Sequence, residues 1–419
     1  MTSPANHVAK RFAKVFAEAG GLLSHPLRVG PLLGKLASDG MRVSFEQRHL
    51  YSYAKTTRDS QETLNLLVRW ILDAQCPDGG IAAYYSLLSG YSKAYPEVTG
   101  YIIPTLYDFA HASGDRVAIA AAQRATAWLL SLQMPSGTFP GGLQGSEGKP
   151  SVFNTGQILQ GLVCAYSETK QSEILQSAIL AGEWLIQQQR ADGCWSGAGA
   201  YQNEVHTYYS MVAWALAQLS RCSGDDRYAT AAERNITWVL SRFRPSGWID
   251  GINLREHPNY LHFMAYILQG VLECAILRHR RDAMDAVAKS AWILLRKFET
   301  NKSLCGAYDE DFKHGRRFAC LTGNAQMSCV WMRLFELSND LRYLNAALKM
   351  NEMLKQLIPA KGSRGIVGGV SGSYPIWERY QPLRHISWGC KFVADALLTE
   401  DRLMRSLEAR EVEAVPCAS

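Results

Sequence analysis

No two cysteines in this chain stand in a CxxC pair, and no Cys/His spacing matches a zinc finger. The ten cysteines are scattered, and Cys164, Cys274 and Cys329 sit inside apolar helical patterns. That usage fits reduced, buried thiols in a cytoplasmic protein better than a disulfide framework. No apolar run reaches the roughly 18 residues of a membrane span, and the N-terminus carries no apolar signal-peptide core with a small-residue cleavage site. Basic tracts interleaved with aromatics are also missing, and a formal charge of +6 spread over 419 residues is mild. Nucleic acid is therefore not an expected partner. Period-2 strand patterns are scarce, with one short hairpin expected around Ile366–Gly372.

What the chain does have is a recurring tryptophan. RWIL at Trp70, AWLL at Trp128, EWLI at Trp184, TWVL at Trp238 and AWIL at Trp292 are 58, 56, 54 and 54 residues apart, and a sixth copy around Met353 lacks the ring. Near-constant spacing marks a repeat architecture. A shared turn follows most copies, at Gln75–Gly79, Gln133–Gly137, Gln189–Gly193 and, more loosely, Arg242–Gly247. Its Asp-Gly or Ser-Gly pair supplies a tight turn and a left-handed cap. After each turn a second helix is expected, starting near Glu97, Asn154, Glu204, Asn259, Arg317 and Trp377, with Asn154 or Thr155 capping the second of them. These second helices are apolar nearly all round, whereas the tryptophan helices are one-faced. Buried inner helices inside an amphipathic shell follow from that contrast.

Six such hairpins close into an all-α (α/α)6 toroid over residues 61–400, with a helical extension over residues 1–60 and a tail over residues 401–419. Within the extension, Val8–Gly20 reads as an amphipathic helix with Lys10 and Lys14 on one side, suited to packing on the ring or to peripheral contact with a membrane or protein. The inner-helix N-termini converge on the end of the ring that carries the long Gly-rich loops, so a funnel there is the expected binding site.

The repeat and its turns resemble the toroid carbohydrate-active enzymes: six-hairpin glycosidases, toroid polysaccharide lyases and the helical domain of glucuronyl C5-epimerases. They are also similar to repeats of terpene cyclases and prenyltransferase β-subunits. The first resemblance implies an anionic, uronate-containing poly- or oligosaccharide as substrate. The reaction would be hydrolysis, β-elimination or C5-epimerisation. A non-catalytic glycan- or protein-binding toroid of a polysaccharide assembly system is the alternative.

The residues at the expected rim suit sugar chemistry, because rings stack on apolar sugar faces, amides bind hydroxyls and arginine binds carboxylates. Glu97, Glu204, His206, Tyr208 and His262 are the candidate acids and bases. Candidate substrate-binding residues are Tyr101, Asn154, Gln157, Tyr209, Tyr260 and Arg317, together with Asn324, Gln326, Tyr380, Arg384 and His385. Glu204 and Tyr208, four residues apart, are expected to act as a pair at the start of one inner helix, or side by side if that stretch is extended. Tyr308–Asp311 does not reproduce the cyclase Asp-x-Asp-Asp motif, and Cys320, Cys390 and His385 follow no zinc spacing. Neither a metal nor another cofactor is expected.

Overall fold

The computed structural model describes residues 30, 32–37, 58–146, 148–197, 199–252, 254, 257–314 and 318–414. Twelve long helices, paired in chain order, build the ring. The outer helices are α1 (Ser60–Asp73), α3 (Arg116–Leu132), α5 (Ser172–Gln188), α7 (Asp226–Leu240), α9 (Arg281–Asn301) and α11 (Leu341–Leu357). The inner helices are α2 (Pro96–Ser113), α4 (Val152–Thr169), α6 (Ser210–Ser223), α8 (Leu261–Arg278), α10 (Leu321–Ser338) and α12 (Ser387–Ala414). Each inner helix packs on the next, and α12 packs back on α2 and α1, closing the circle. The chain is an (α/α)6 toroid. The boundary expected at residue 400 falls inside α12.

The two ends of the ring are built differently. Every connection from an inner helix to the next outer one is two residues long. Its first residue is left-handed (Gly114, Lys170, Gly224, His279 and Asn339). In three of the five, the second is an aspartate whose carboxylate accepts backbone N–H groups of the next helix: Asp115, Asp225 and Asp340. The connections at the other end are long and carry the shared turn.

That turn couples neighbouring repeats. Gln75 donates through Nε2 to Gly79 O of its own turn and to Ala121 O of the next outer helix, both at 2.9 Å. Gln133 does the same with Gly137 and Ser177, and Gln189 with Gly193 and Ala231. Gly79 has φ of +105°, and a Cβ there would stand 2.5 Å from Arg124 O of that helix, so the close approach needs glycine. In the fourth repeat Phe243 replaces the glutamine, and Ser290 Oγ donates to Gly247 O at 2.7 Å instead. The repeated tryptophans lie behind these turns; Trp128 Nε1 donates to Asp78 Oδ2 at 3.1 Å. Trp70 closes the series by donating to Gly365 O at 2.9 Å, in the last long loop.

Strands are few and short. β1 (Tyr84–Ser86) pairs antiparallel with β2 (Gly90–Tyr91) and with β5 (Arg384–Ile386), and β3 (Ala319–Cys320) with β4 (Ser373–Tyr374). The hairpin expected at Ile366–Gly372 does not form: Ile366–Gly368 is a turn, and Ser371 bridges to His385. Cys76, Cys164, Cys194, Cys222, Cys274, Cys320, Cys329 and Cys390 are free thiols. Helix α8 is long and apolar enough to cross a bilayer, but it stands as a mostly buried wall of the ring. The helix expected at Val8–Gly20 lies outside the described residues.

Candidate functional site

Glu97 opens the lumen-facing stripe of α2. Residues three and four apart share a helix face, and Glu97, Tyr101, Pro104, Asp108 and His111 follow that spacing from one end of the ring to the other. Phe153 and Gln160 lie on the corresponding face of α4, and His262 and Tyr266 on that of α8. The upper part of this lumen is an aromatic chamber. Phe153 meets Tyr208, Tyr209 and Tyr266 at centroid distances of 4.9, 5.9 and 5.5 Å. Tyr208 stacks between His206 and Phe263. Tyr266 and Tyr101 both meet Phe392, forming a floor across the ring.

Glu97 is the acid of this chamber. Its neighbours bury it deeply enough to push its carboxyl up to about 7, although Tyr95 Oη donates to it at 2.5 Å and opposes the shift. The residue is half-buried rather than sealed, so solvent reaches it. Its charge is felt by Tyr95, Tyr101, Tyr208, Tyr209 and Tyr266, whose hydroxyls burial already holds above the ordinary tyrosine range. All five stay protonated near neutrality and can donate.

His262 is a base of fixed orientation. Burial lowers it to about 4, so the ring is neutral at pH 7. Nδ1 lies 2.6 Å from Gln326 Oε1; an amide oxygen only accepts, so Nδ1 carries the proton and Nε2 keeps the lone pair. The ring lies 4.3 Å from Tyr266 and 5.6 Å from Tyr380. Tyr380 accepts from Trp388 Nε1 at 2.9 Å and packs on Tyr260 at 5.1 Å.

Glu97, His262, Tyr208, Tyr101, Tyr209, Tyr260, Gln326 and Tyr380 therefore line or support one chamber. Glu204 lies on the loop leading into α6, where its charge reaches His206. Of the two expected geometries the extended one is found: Gln202 and Asn203 adopt left-handed conformations, Glu204 and His206 are extended, Thr207–Tyr209 forms a 3-10 turn, and α6 begins at Ser210 rather than near Glu204. Glu204 is thus on the loop above, half-buried, and the carboxylate acting on Tyr208 is Glu97. His206 is buried beneath Tyr208, with Nε2 donating to Tyr201 O at 2.8 Å.

Asn154 does not cap α4. Ser151 Oγ accepts the Asn154 N–H, and Asn154 stands in the first turn. Gln157 is fully buried, and neither polar side-chain atom finds a partner among the described residues. Asn324 is tied to Cys320 O and Leu304 O below the chamber. Arg384 lies over the Tyr84 ring at 4.1 Å and donates to Gln381. His385 is sealed in the small sheet, with Nδ1 donating to Gly365 O at 2.9 Å, and burial lowers it to about 3. It supports the last loop rather than the chamber. Arg317 lies outside the described residues.

The residues that sequence reasoning missed are Tyr95, Phe153, Phe263, Tyr266 and Phe392. A signal for one of them was present: Tyr266 follows His262 by four residues, the spacing that links Tyr101 to Glu97. In the loop Tyr308–Asp311 the tyrosine is buried and the three acids are exposed, Glu310 pairing with Arg244 and Asp311 with Lys313.

Among solved structures, the chain is similar to an unsaturated glucuronyl hydrolase specific for heparin, at 15% identity and a TM-score of 0.67 over 83% of this chain and 96% of that one. It is also similar to a sugar epimerase from a ruminal bacterium (12%, 0.67, 82% and 97%) and to cellobiose 2-epimerase from Spirochaeta thermophila (14%, 0.66, 82% and 97%). At such identities the likeness is one of fold. A search of curated protein sequences finds no match. The family model described as squalene-hopene cyclase C-terminal domain matches residues 44–267, more than half of the chain, and the chain belongs to that family.

Proposed function

We propose that the protein is a carbohydrate-active enzyme that performs acid–base chemistry on an oligosaccharide held in the aromatic chamber. One observation carries this reading. A solvent-reachable carboxyl with its pKa near 7 stands among five protonated tyrosines, on the same lumen as a neutral, oriented histidine. A general acid works best when its pKa lies near the operating pH. Glu97 is the proton donor to a glycosidic or ring oxygen, and His262 Nε2 is the base. Tyr208 and Tyr209 bind hydroxyls, and the ring faces of Phe153, Tyr260 and Phe263 receive apolar sugar faces.

The finer reading, a uronate-containing substrate, is supported by the likeness to a glucuronyl hydrolase specific for heparin and by Glu97 itself. A carboxyl that is half-protonated at pH 7 repels a substrate carboxylate less than an ionised one does. The three reactions are separated by one screen of neutral and uronate oligosaccharides. New reducing ends alone mark hydrolysis, absorbance of an unsaturated uronate marks elimination, and solvent deuterium in uncleaved sugar marks epimerisation. Binding without any product would leave the non-catalytic class.

The family match and the aromatic lining favour a second reading, cyclisation of a polyprenoid. In it Glu97 protonates an alkene, and aromatic faces hold the cation that forms. Incubation with polyprenoid substrates and extraction of cyclised hydrocarbon tests it; product there, with no change in any oligosaccharide, replaces the first reading by the second.

A further inference from the structure

The opposite end of the ring, where the two-residue connections lie, holds a cavity of about 1090 Å³ lined by all six inner helices. It is separated from the aromatic chamber by the Tyr101, Tyr266 and Phe392 floor, with Lys391 lying over the rings of Tyr101 and Phe392. Its size is that of a small-molecule site, which runs to about 1000 Å³. Its chemistry differs from that of the chamber above.

Most of its charges are matched. Arg333 holds Glu273 at 2.8 Å and Glu336 at 2.5 Å. Lys391 pairs with Asp395, which also accepts from Thr105 at 2.6 Å, and Arg405 pairs with Asp401 at 3.0 Å. Such a surface offers no strong field of either sign to a charged ligand. Between the pairs lie three amides, one on each of three successive inner helices: Gln160, Gln218 and Gln269. The Oε1 atoms of Gln218 and Gln269 are buried and find no donor among the described residues. A buried acceptor left without a donor costs about 1–3 kcal/mol, and both of these side chains line the cavity. Half-buried Trp214 supplies an indole on the same wall as Gln218. Asp108 faces the cavity and, among the described residues, has no ion-pair partner; the protein packed around it and the nearby Asp395 push its carboxyl up to about 6, although the residue keeps an exposed edge. It can therefore accept or donate near neutrality.

We propose that this cavity is a second, separate binding site, for a neutral mono- or disaccharide. Sugar hydroxyls supply the donors that the amide oxygens lack and accept from the amide nitrogens and charged groups, while a sugar face stacks on Trp214. The site is independent of any chemistry at Glu97, so its failure would leave that reading untouched.

The test is calorimetric titration of glucose, cellobiose and glucuronate into the full chain. Wild type should bind a neutral sugar, and Gln218→Leu and Gln269→Leu should each weaken it at least about tenfold, with turnover at the other end unchanged. Trp214→Ala should weaken it similarly and remove any sugar-dependent change in indole fluorescence. Gln218→Met, which keeps the side chain's length and removes the amide, carries the test if a leucine variant lowers Tm. Three results would overturn the proposal: no neutral sugar binding in wild type, undiminished binding in folded Gln218 and Gln269 variants, or glucuronate binding as tightly as glucose.

Discussion

The two ends of the lumen are lined by the same six helices and handle charge in opposite ways. At the long-loop end Glu97 sits among aromatic rings, with no cation acting on it among the described residues, and its pKa rises to about 7. At the short-connection end, five carboxylates and five cations line the cavity, and most cancel in pairs. An isolated group in a low-dielectric wall keeps a proton that can be given away, whereas matched pairs hold their charges and give rigidity. Acid–base work is therefore expected at the first end and binding at the second.

The sharpest break of that comparison is Glu97→Gln. Turnover should fall by about 10²–10⁴, the range of general acid catalysis, with Tm kept. Glu204→Gln should do much less, and a larger loss there would move the acid to the loop above.

Next in size is the charge triad of the other end. Arg333→Ala leaves Glu273 and Glu336 without their guanidinium. Full burial would make that cost about 3–5 kcal/mol. Because Arg333 is 29% exposed, solvent screening should bring the loss nearer 2 kcal/mol. Denaturant unfolding measures it, and turnover should survive in the part that remains folded.

The pH dependence sharpens the contrast further. Glu97 titrates near 7 in the folded chain against 4.5 when exposed, so between these values the folded state holds a proton that the unfolded chain has released. Stability relative to Glu97→Gln should therefore fall as pH rises from 4.5 through 7, and be fully present only below that window. Turnover of wild type should decline above about pH 7. A flat profile in both measurements would remove Glu97 as the proton donor.

Replacing Gln189 by Leu, which removes the link from one turn to the next outer helix, should cost about 1–2 kcal/mol. The smallest effect is expected at His279→Gly. An exposed non-glycine residue held at φ of 55° carries a penalty of about 1 kcal/mol, and glycine should recover most of it as a small rise in Tm.

The ring was legible in the sequence because its punctuation is local. The tryptophan recurs in a one-faced helix, and the Gln-x-x-Asp/Ser-Gly turn follows within a few residues, so period and turn chemistry together define the hairpin. Glu97 was legible for the same reason, as the acid in the first turn of an inner helix. The start of α6 was not, because Gln202 and Asn203 adopt left-handed conformations that no local pattern announces. The chamber walls were hidden too. Phe153, Phe263 and Phe392 look like ordinary core residues until three helices far apart in the chain bring them together. Read as apolar nearly all round, the inner helices also concealed a polar stripe, such as Gln269 with Glu273 on α8, that faces the lumen and not the shell. The β1–β5 pairing joins Tyr84 to Ile386, a separation beyond any periodicity.

The bond from Trp70 to Gly365 spans 295 positions along the chain. Until the last long loop exists, the first repeat is docked on the second alone, and five hairpins can stack only into an open arc with its lumen facing water. Contacts of such span form late and slowly. Tyr380 and Trp388, which back His262, arrive with that same final segment, so the chamber and the circle are completed in one event. A nascent chain short of this loop would display its aromatic interior as a sticky crescent, and the closing step is where a chaperone would have the most to protect.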